Sequence, residues 1–396
     1  MGAVNFGGFE IGSTSVLDAA ATSGTFTVVT TPVKHGTYAF ETNPTTTAVG
    51  FARFRGFGTN GGSAFVSLST LYAGFYFRVA TLPSANSEEM FSVRSSTALK
   101  MALRINSAGS LMVFDSTGIV QIGSDSGTAL SLNTWYWITV SCATGLTAAV
   151  EVLINGVSEI SGTGNLTVDN GAAIDLGKTT NRNGETVDFF YDDWQLDDAA
   201  LPTEKTSLLL QPDSDGSAVT WTRGGTDSGN DWDQVNEIPP DTADYLVSTL
   251  GIADRSHVGF ESCASAGVSG TITAVRFSAY SARDGAANGT YSLGIRSGGT
   301  NSDNAATNIA GAGFAWVIRA SVSTVLVVDP TDAAAWTVAK VDALEGCVIE
   351  QEATDKTKTA WMGLEVLFTP VMGPLIGPGR LMGGQLNAGR LVRSAA

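Results

Sequence analysis

Charge, cysteine and histidine are all scarce in this chain, and each shortage closes off a class of function. Asp, Glu, Lys and Arg make up only 15% of the 396 residues, too few for long surface helices, which draw on Glu, Lys and Arg. The three cysteines, Cys142, Cys263 and Cys347, stand far apart. An odd, scattered set builds neither a disulfide framework nor a paired zinc site, so buried free thiols are expected. Only two histidines, His35 and His257, could serve a Ser-His-Asp triad. Both stand in turn-like contexts, and no Gly-x-Ser-x-Gly elbow accompanies them. Basic clusters are missing too. The net charge of −16 argues against nucleic acid as a partner, because phosphate contacts need grouped Lys and Arg. No apolar run reaches membrane-spanning length, so no membrane partner is expected. The N-terminal Met1-Gly2-Ala3-Val4-Asn5-Phe6 lacks the basic and apolar parts of a secretory signal, and synthesis in a cytoplasm is the reading.

What the chain does have is apolar residues at 43% and 46 glycines, the composition of packed cores built from short strands and tight turns. Strands are expected at 25–31, 37–42, 73–79, 99–106 and 110–114. In one of them Leu99, Met101, Leu103 and Ile105 alternate with Lys100, Ala102, Arg104 and Asn106, the period-two pattern of a half-buried strand. Val150, Val152 and Ile154 share a face ahead of the turn pair Asn155-Gly156. Later, Val275, Phe277 and Ala279 oppose Arg276 and Ser278. Tyr291, Leu293 and Ile295 form another such face. Met362, Leu364, Val366 and Phe368 oppose Trp361 and Glu365. One helix is expected near 333–344, begun by Asp332, with Val338, Val341 and Leu344 on one side and Gly346 as its stop. The fold class is all-β: two tandem antiparallel β-sandwiches, 1–201 and 202–369, and an extended C-terminal arm, 370–396. The arm is rich in Gly and Pro and has Arg380, Arg390 and Arg393 but no acid. Leu375, Leu381, Leu386 and Leu391 with those arginines are read as assembly contacts on neighbouring acidic surfaces.

Residues 133–140, 150–157 and 186–196, in that order, resemble the closing strands of a laminin-G or concanavalin-A-type β-sandwich. Residues 296–300, Asp329-Pro330, Ala335-Trp336 and 341–346 resemble a jelly-roll-like module of tailed-bacteriophage virion proteins. Residues 8–12 and 35–40 look like the opening of lectin-like phage modules. The resemblance implies a non-enzymatic structural component of the virion, a fibre, decoration or tail-associated protein. Its partners would be other virion proteins, copies of itself and, through adhesion, a host-surface glycan. The rival reading is a lectin-like protein that binds or cleaves carbohydrate.

The acid pairs Glu88-Glu89, Asp192-Asp193 and Asp197-Asp198 resemble glycanase carboxylates only in composition. Adjacent residues of a strand point to opposite faces and cannot flank one bond. Asp231 and Asp233 could share a face, but their surroundings read as loop. No catalytic residue is assigned. Calcium is the one cofactor considered, through Asp213 and Asp215 in a half-formed loop, with Asp169-Asn170-Gly171 a weaker match. Residues 56–61 spell a dinucleotide fingerprint without the strand–helix–strand unit it needs, and read as loop. Trp135 and Trp137 share a strand face and are assigned to the core. Trp221 and Trp232, flanking a Gly/Asp-rich stretch, are the candidates for stacking on a sugar.

Overall fold

A computed structural model describes the chain except residues 1–2, 14–18, 21–25, 46–47, 56–67, 96–97, 167–172, 180–183, 226–228, 285–288, 305, 310–316, 319–324 and 372–396. Four antiparallel sheets pack as two sandwiches, as the strand patterns require. The first sheet runs, strand by hydrogen-bonded strand, Val157–Gly164, Ala148–Ile154, Trp135–Ala143, Thr70–Thr81, Asp188–Asp197, Ala39–Thr42 and Phe26–Val29, with Ala3–Gly7 also paired to Asp188–Asp197. The second runs Gln121–Ile122, Leu111–Phe114, Leu99–Ile105, Glu88–Arg94, Ala173–Lys178, Gly50–Arg55 and Ala19–Ala20. Their facing sides share one core, in which Met101, Leu103 and Ile105 meet Phe75, Phe77, Val140 and Val152. Asn155 and Gly156, with φ of 50° and 80°, close the hairpin as the primed turn their sequence calls for.

The third sheet runs Thr222–Gly224, Tyr245–Val247, Thr357–Pro370, Gly270–Arg283 and Val317–Ile318, with Thr206–Leu210 added to Thr357–Pro370 and Val325–Leu326 to Gly270–Arg283. The fourth runs Pro212–Val219, Arg255–Phe260, Glu345–Glu350, Gly289–Ser297 and Thr300–Asp303, with Thr307–Ile309 added to Gly289–Ser297. Val275, Phe277 and Ala279, Tyr291, Leu293 and Ile295, and Met362, Leu364, Val366 and Phe368 all enter the second core, on the faces their alternation assigned.

The expected helix is shorter than its sequence suggested. It spans Val338–Asp342, with Thr337 as N-cap and Ala343 as C-cap. Asp332 does not start it, because its carboxylate accepts from Ala334 N and Lys340 Nζ, and Ala333 turns to φ 57°. Val341 and Leu344 are buried as expected, Val338 is exposed, and Gly346 lies in a strand. A second short helix, Cys263–Ala266, was not expected; Ser262 and Gly267 cap it. No helix among the described residues is long and apolar enough to cross a membrane.

The two sandwiches meet through the outer faces of the first and third sheets. Phe6 packs with Ala274 and Leu367, and Ile11 with Leu209 and Trp361. Arg276 pairs with Glu365 and donates to Asn5 Oδ1 over 2.7 Å. Thr357–Pro370 therefore buries both its sides, one in its own core and one in this junction.

Candidate functional site

Three adjacent strands of the second sheet, Gly50–Arg55, Ala173–Lys178 and Glu88–Arg94, turn Ala52, Phe54, Ile174, Leu176 and Val93 into the core. Alternation then sends Arg53, Asp175, Ser92 and Arg94 to the outer face. Asp175 stands opposite Arg53 on one neighbour and Ser92 on the other. Arg53 Nε and Nη2 donate to its two oxygens at 2.6 and 2.8 Å. Arg94 Nε lies 2.6 Å from Asp175 Oδ2, and Arg94 Nη2 donates to Thr179 Oγ1 over 2.9 Å. Thr179 donates in turn to Glu89. A register shift between Glu89 and Phe91 interrupts the alternation where Glu89 joins this network.

Electrostatics at this face favour an anion. Asp175 is sealed from solvent at 0% while the Arg53 and Arg94 side chains keep 17% and 13% of their surface. Two guanidiniums thus share one carboxylate, and it is the guanidiniums that reach outward. The hydrogen bond from Arg53 to Asp175 raises the Arg53 pKa further. Burial pushes Glu89 above the usual carboxylate range, against the bond from Thr179 and the charge of Arg94. One partly exposed aromatic ring lies alongside: Phe51 sits 5.3 Å from the Arg53 guanidinium. Forked donors match carboxylate or sulfate oxygens, and rings offer flat faces to sugars.

A second polar cluster lies at the junction of the sandwiches. Asp193 has φ 44°, within a register shift between Asp192 and Gln195. Both carboxylates consequently reach the same loop. Asp192 Oδ2 accepts from Lys34 N at 2.8 Å and His35 N at 3.1 Å, while Asp193 Oδ2 lies 2.5 Å from His35 Nδ1. The expectation that these neighbours point apart is corrected by that bulge. Glu10 accepts from Thr37 N at 2.8 Å and Tyr38 N at 3.2 Å.

Of the residues singled out from sequence, His35 lies in its expected turn, but His257 does not: it is a buried strand residue, bonded to Ser217 Oγ at 2.9 Å. Trp221 is 4% exposed within the second core, so its face is not open to a sugar. Trp232 is half-buried against the same core. Trp137 is buried, yet outside the core: it packs on Tyr76 at 5.0 Å on the junction side and donates to Pro202 O. Asp213 and Asp215 lie on a strand, Pro212–Val219, and not in a loop; Asp215 accepts from Trp232 N. Among the described residues no group of three His, Cys, Asp or Glu is placed to hold a metal ion. Asp231 is bound by Arg223 and Ser256, and Asp233 by Asn230 N. Residues 56–61 and 169–171, together with Leu375, Arg380, Leu381, Leu386, Arg390, Leu391 and Arg393, lie outside the described residues. Arg53, Arg94 and Asp175 escaped the sequence reading because only strand pairing brings them together. The one signal was two arginines flanking an apolar residue at 53–55, inside a run of strand character.

No family model matches the sequence, and no curated protein matches it. Among solved structures the chain is similar to an endo-β-1,4-glucuronan lyase from the fungus Trichoderma reesei, with 13% identity, a TM-score of 0.36, and 49% of this chain and 95% of that one covered. It is also similar to a carbohydrate esterase from the Shiga toxin-encoding bacteriophage phi24B, with 16% identity, a TM-score of 0.37, and coverage of 50% and 99%. A cellulose-induced protein is similar with 11% identity, a TM-score of 0.39, and coverage of 50% and 100%. The expectation that the chain is not an enzyme is corrected on this finding. A lyase and an esterase stand among the structures similar to it.

Proposed function

We propose that the chain engages an acidic glycan on the outer face of its second sheet and acts as a carbohydrate-binding or carbohydrate-cleaving sandwich. The observation that carries this reading is the fork of Arg53 and Arg94 on the fully buried Asp175. That arrangement concentrates outward-facing positive charge on a chain of net charge −16, where an exposed cationic face would otherwise be neutralised. Held by Asp175, the guanidiniums are already ordered, so little side-chain entropy is lost when a uronate or sulfate docks.

The test titrates the full chain with a polyuronate, a sulfated glycan and a neutral glucan, while following unsaturated sugar ends and released acyl groups. Expected is binding of the anionic polymers alone, weakened by salt, and at least about tenfold weaker in the Arg53→Ala/Arg94→Ala variant, one lost charge-assisted bond of about 1.4 kcal/mol sufficing for that. Equal affinity for the neutral glucan, or an unchanged double variant with native circular dichroism, overturns it. The setting we propose is a tailed-phage particle that meets a host-surface glycan, with residues 370–396 attaching the chain to its neighbours. Mass spectrometry of purified particles, with and without those residues, checks that part.

A further inference from the structure

The junction cluster is not used by the glycan-binding face, and its geometry is unusual for a purely structural one. Asp193 holds both sandwiches with one carboxylate: Oδ2 lies 2.5 Å from His35 Nδ1, and Oδ1 accepts from Ser207 N over 2.8 Å. Ser207 lies in the first strand of the third sheet, Thr206–Leu210. Thr206 Oγ1 lies 3.4 Å from the same imidazole nitrogen. The loop that carries His35 is itself held by Asp192 and Glu10 through four backbone N–H groups, those of Lys34, His35, Thr37 and Tyr38. Gly36 takes φ +64°, and a Cβ there would stand 2.3 Å from Glu10 Oε1, so the loop and this acid are fitted to each other.

We propose that Glu10, Asp192 and Asp193, with the loop 34–38, form a proton-controlled latch between the two sandwiches, shut while Glu10 and Asp192 carry protons and loosened when they lose them. The charge balance supports this. Glu365 adds a fourth carboxylate from the second sandwich, and Arg276 from the same sandwich is committed to it and to Asn5. On the first sandwich Lys34 Nζ lies over the Tyr76 ring at 4.6 Å, and the Tyr76 hydroxyl is bonded to Glu204 of the linker. The linker's Lys205 has Asp197 as its opposite charge. The His35 imidazole meets one of the three acids, Asp193.

Burial, and then the charges of Asp193 and Glu10, push Asp192 well above the ordinary carboxylate range. Burial does the same to Glu10 against the bonds from Thr37 and Tyr38, with Asp193 and Glu365 adding to it. A carboxyl whose pKa is raised by folding contributes stability that is full below its unfolded value of about 4 and is lost as pH rises through the folded value. Three adjacent negative charges at low dielectric then repel one another, and the grip on Ser207 weakens with the loop.

Small-angle scattering and amide exchange of the full chain, corrected for intrinsic rates, test the latch at about pH 5 and about pH 9, both above the ordinary carboxylate range. At the higher pH the radius of gyration is expected to grow, and the amides of 34–38 and 206–209 to lose protection. Glu10→Gln/Asp192→Asn, which imitates the protonated acids, should stay compact and protected at both. A wild type that does not respond to pH, or a double variant that responds as the wild type does, overturns the latch. Should the double variant fail to fold, Asp193→Asn removes a charge that raises the pKa of both Asp192 and Glu10 and must shrink the loss of protection between the two pH values; an undiminished loss is equally fatal.

Discussion

Arg283 and Glu350 face each other at 3.1 Å between the third and fourth sheets, with side-chain exposures of 1% and 0%. Glu350 also accepts from Ser248 Oγ at 2.6 Å and Thr357 N at 2.8 Å, and Arg283 donates to Thr357 Oγ1 at 2.9 Å. Removing the carboxylate leaves a buried guanidinium with the more distant Asp355, 3.8 Å away, as its charge partner. Glu350→Ala should therefore cost roughly 3–5 kcal/mol of unfolding free energy, measured by urea denaturation. Glu350→Gln, which keeps some of the hydrogen bonds, should cost less.

Asp188 gives the first sandwich a dependence on pH near neutrality. Burial, followed by the charge of Glu41 and a hydrogen bond with it, raises its pKa to about 6, against the attraction of Arg78. The raised value means that its stabilising contribution is full below the unfolded pKa of about 3.9 and is gone once pH has risen past about 6. In Asp188→Asn the melting temperature should lose this part of its decline between those limits.

All three thiols should resist modification in the native state. Burial pushes Cys142 and Cys347 up to about 12, and burial together with Asp342 does so for Cys263. A thiol-reactive chromophore should label none of them before denaturation and all three after it, since the thiolate is the nucleophile.

Gly36→Ala places a methyl against the Glu10 carboxylate at a backbone angle unfavourable to L residues. The expected result is a loss of about 1–2 kcal/mol or more, read as a lower midpoint in denaturant. An unchanged midpoint would mean that the loop moves freely away from Glu10.

Where alternation was regular, the sequence was readable. Met101, Leu103 and Ile105 turn inward, and Glu365 stands opposite Met362, Leu364 and Val366, as a period of two requires. Reading failed where the period was interrupted. Asp193 is turned by a backbone conformation that no neighbouring glycine announces, and Ala333 does the same ahead of the short helix. Trp221 was offered to solvent because its loop is polar, whereas its ring fills the second core. The arginine fork was invisible for a different reason. Arg53, Arg94 and Asp175 come from three strands distant in sequence, and their register is set by long-range pairing.

Thr357–Pro370, buried on both sides, also dictates an order of events during synthesis. Its partners Thr206–Leu210, Tyr245–Val247 and Gly270–Arg283 all precede it, so the third sheet has no central strand until almost the whole described chain has emerged. The first sandwich has all its strands by Asp197. Through that interval Phe6 and Ile11 of the first sandwich lack Leu367 and Trp361 from their cover, and the nascent chain carries an apolar surface that Thr357–Pro370 completes.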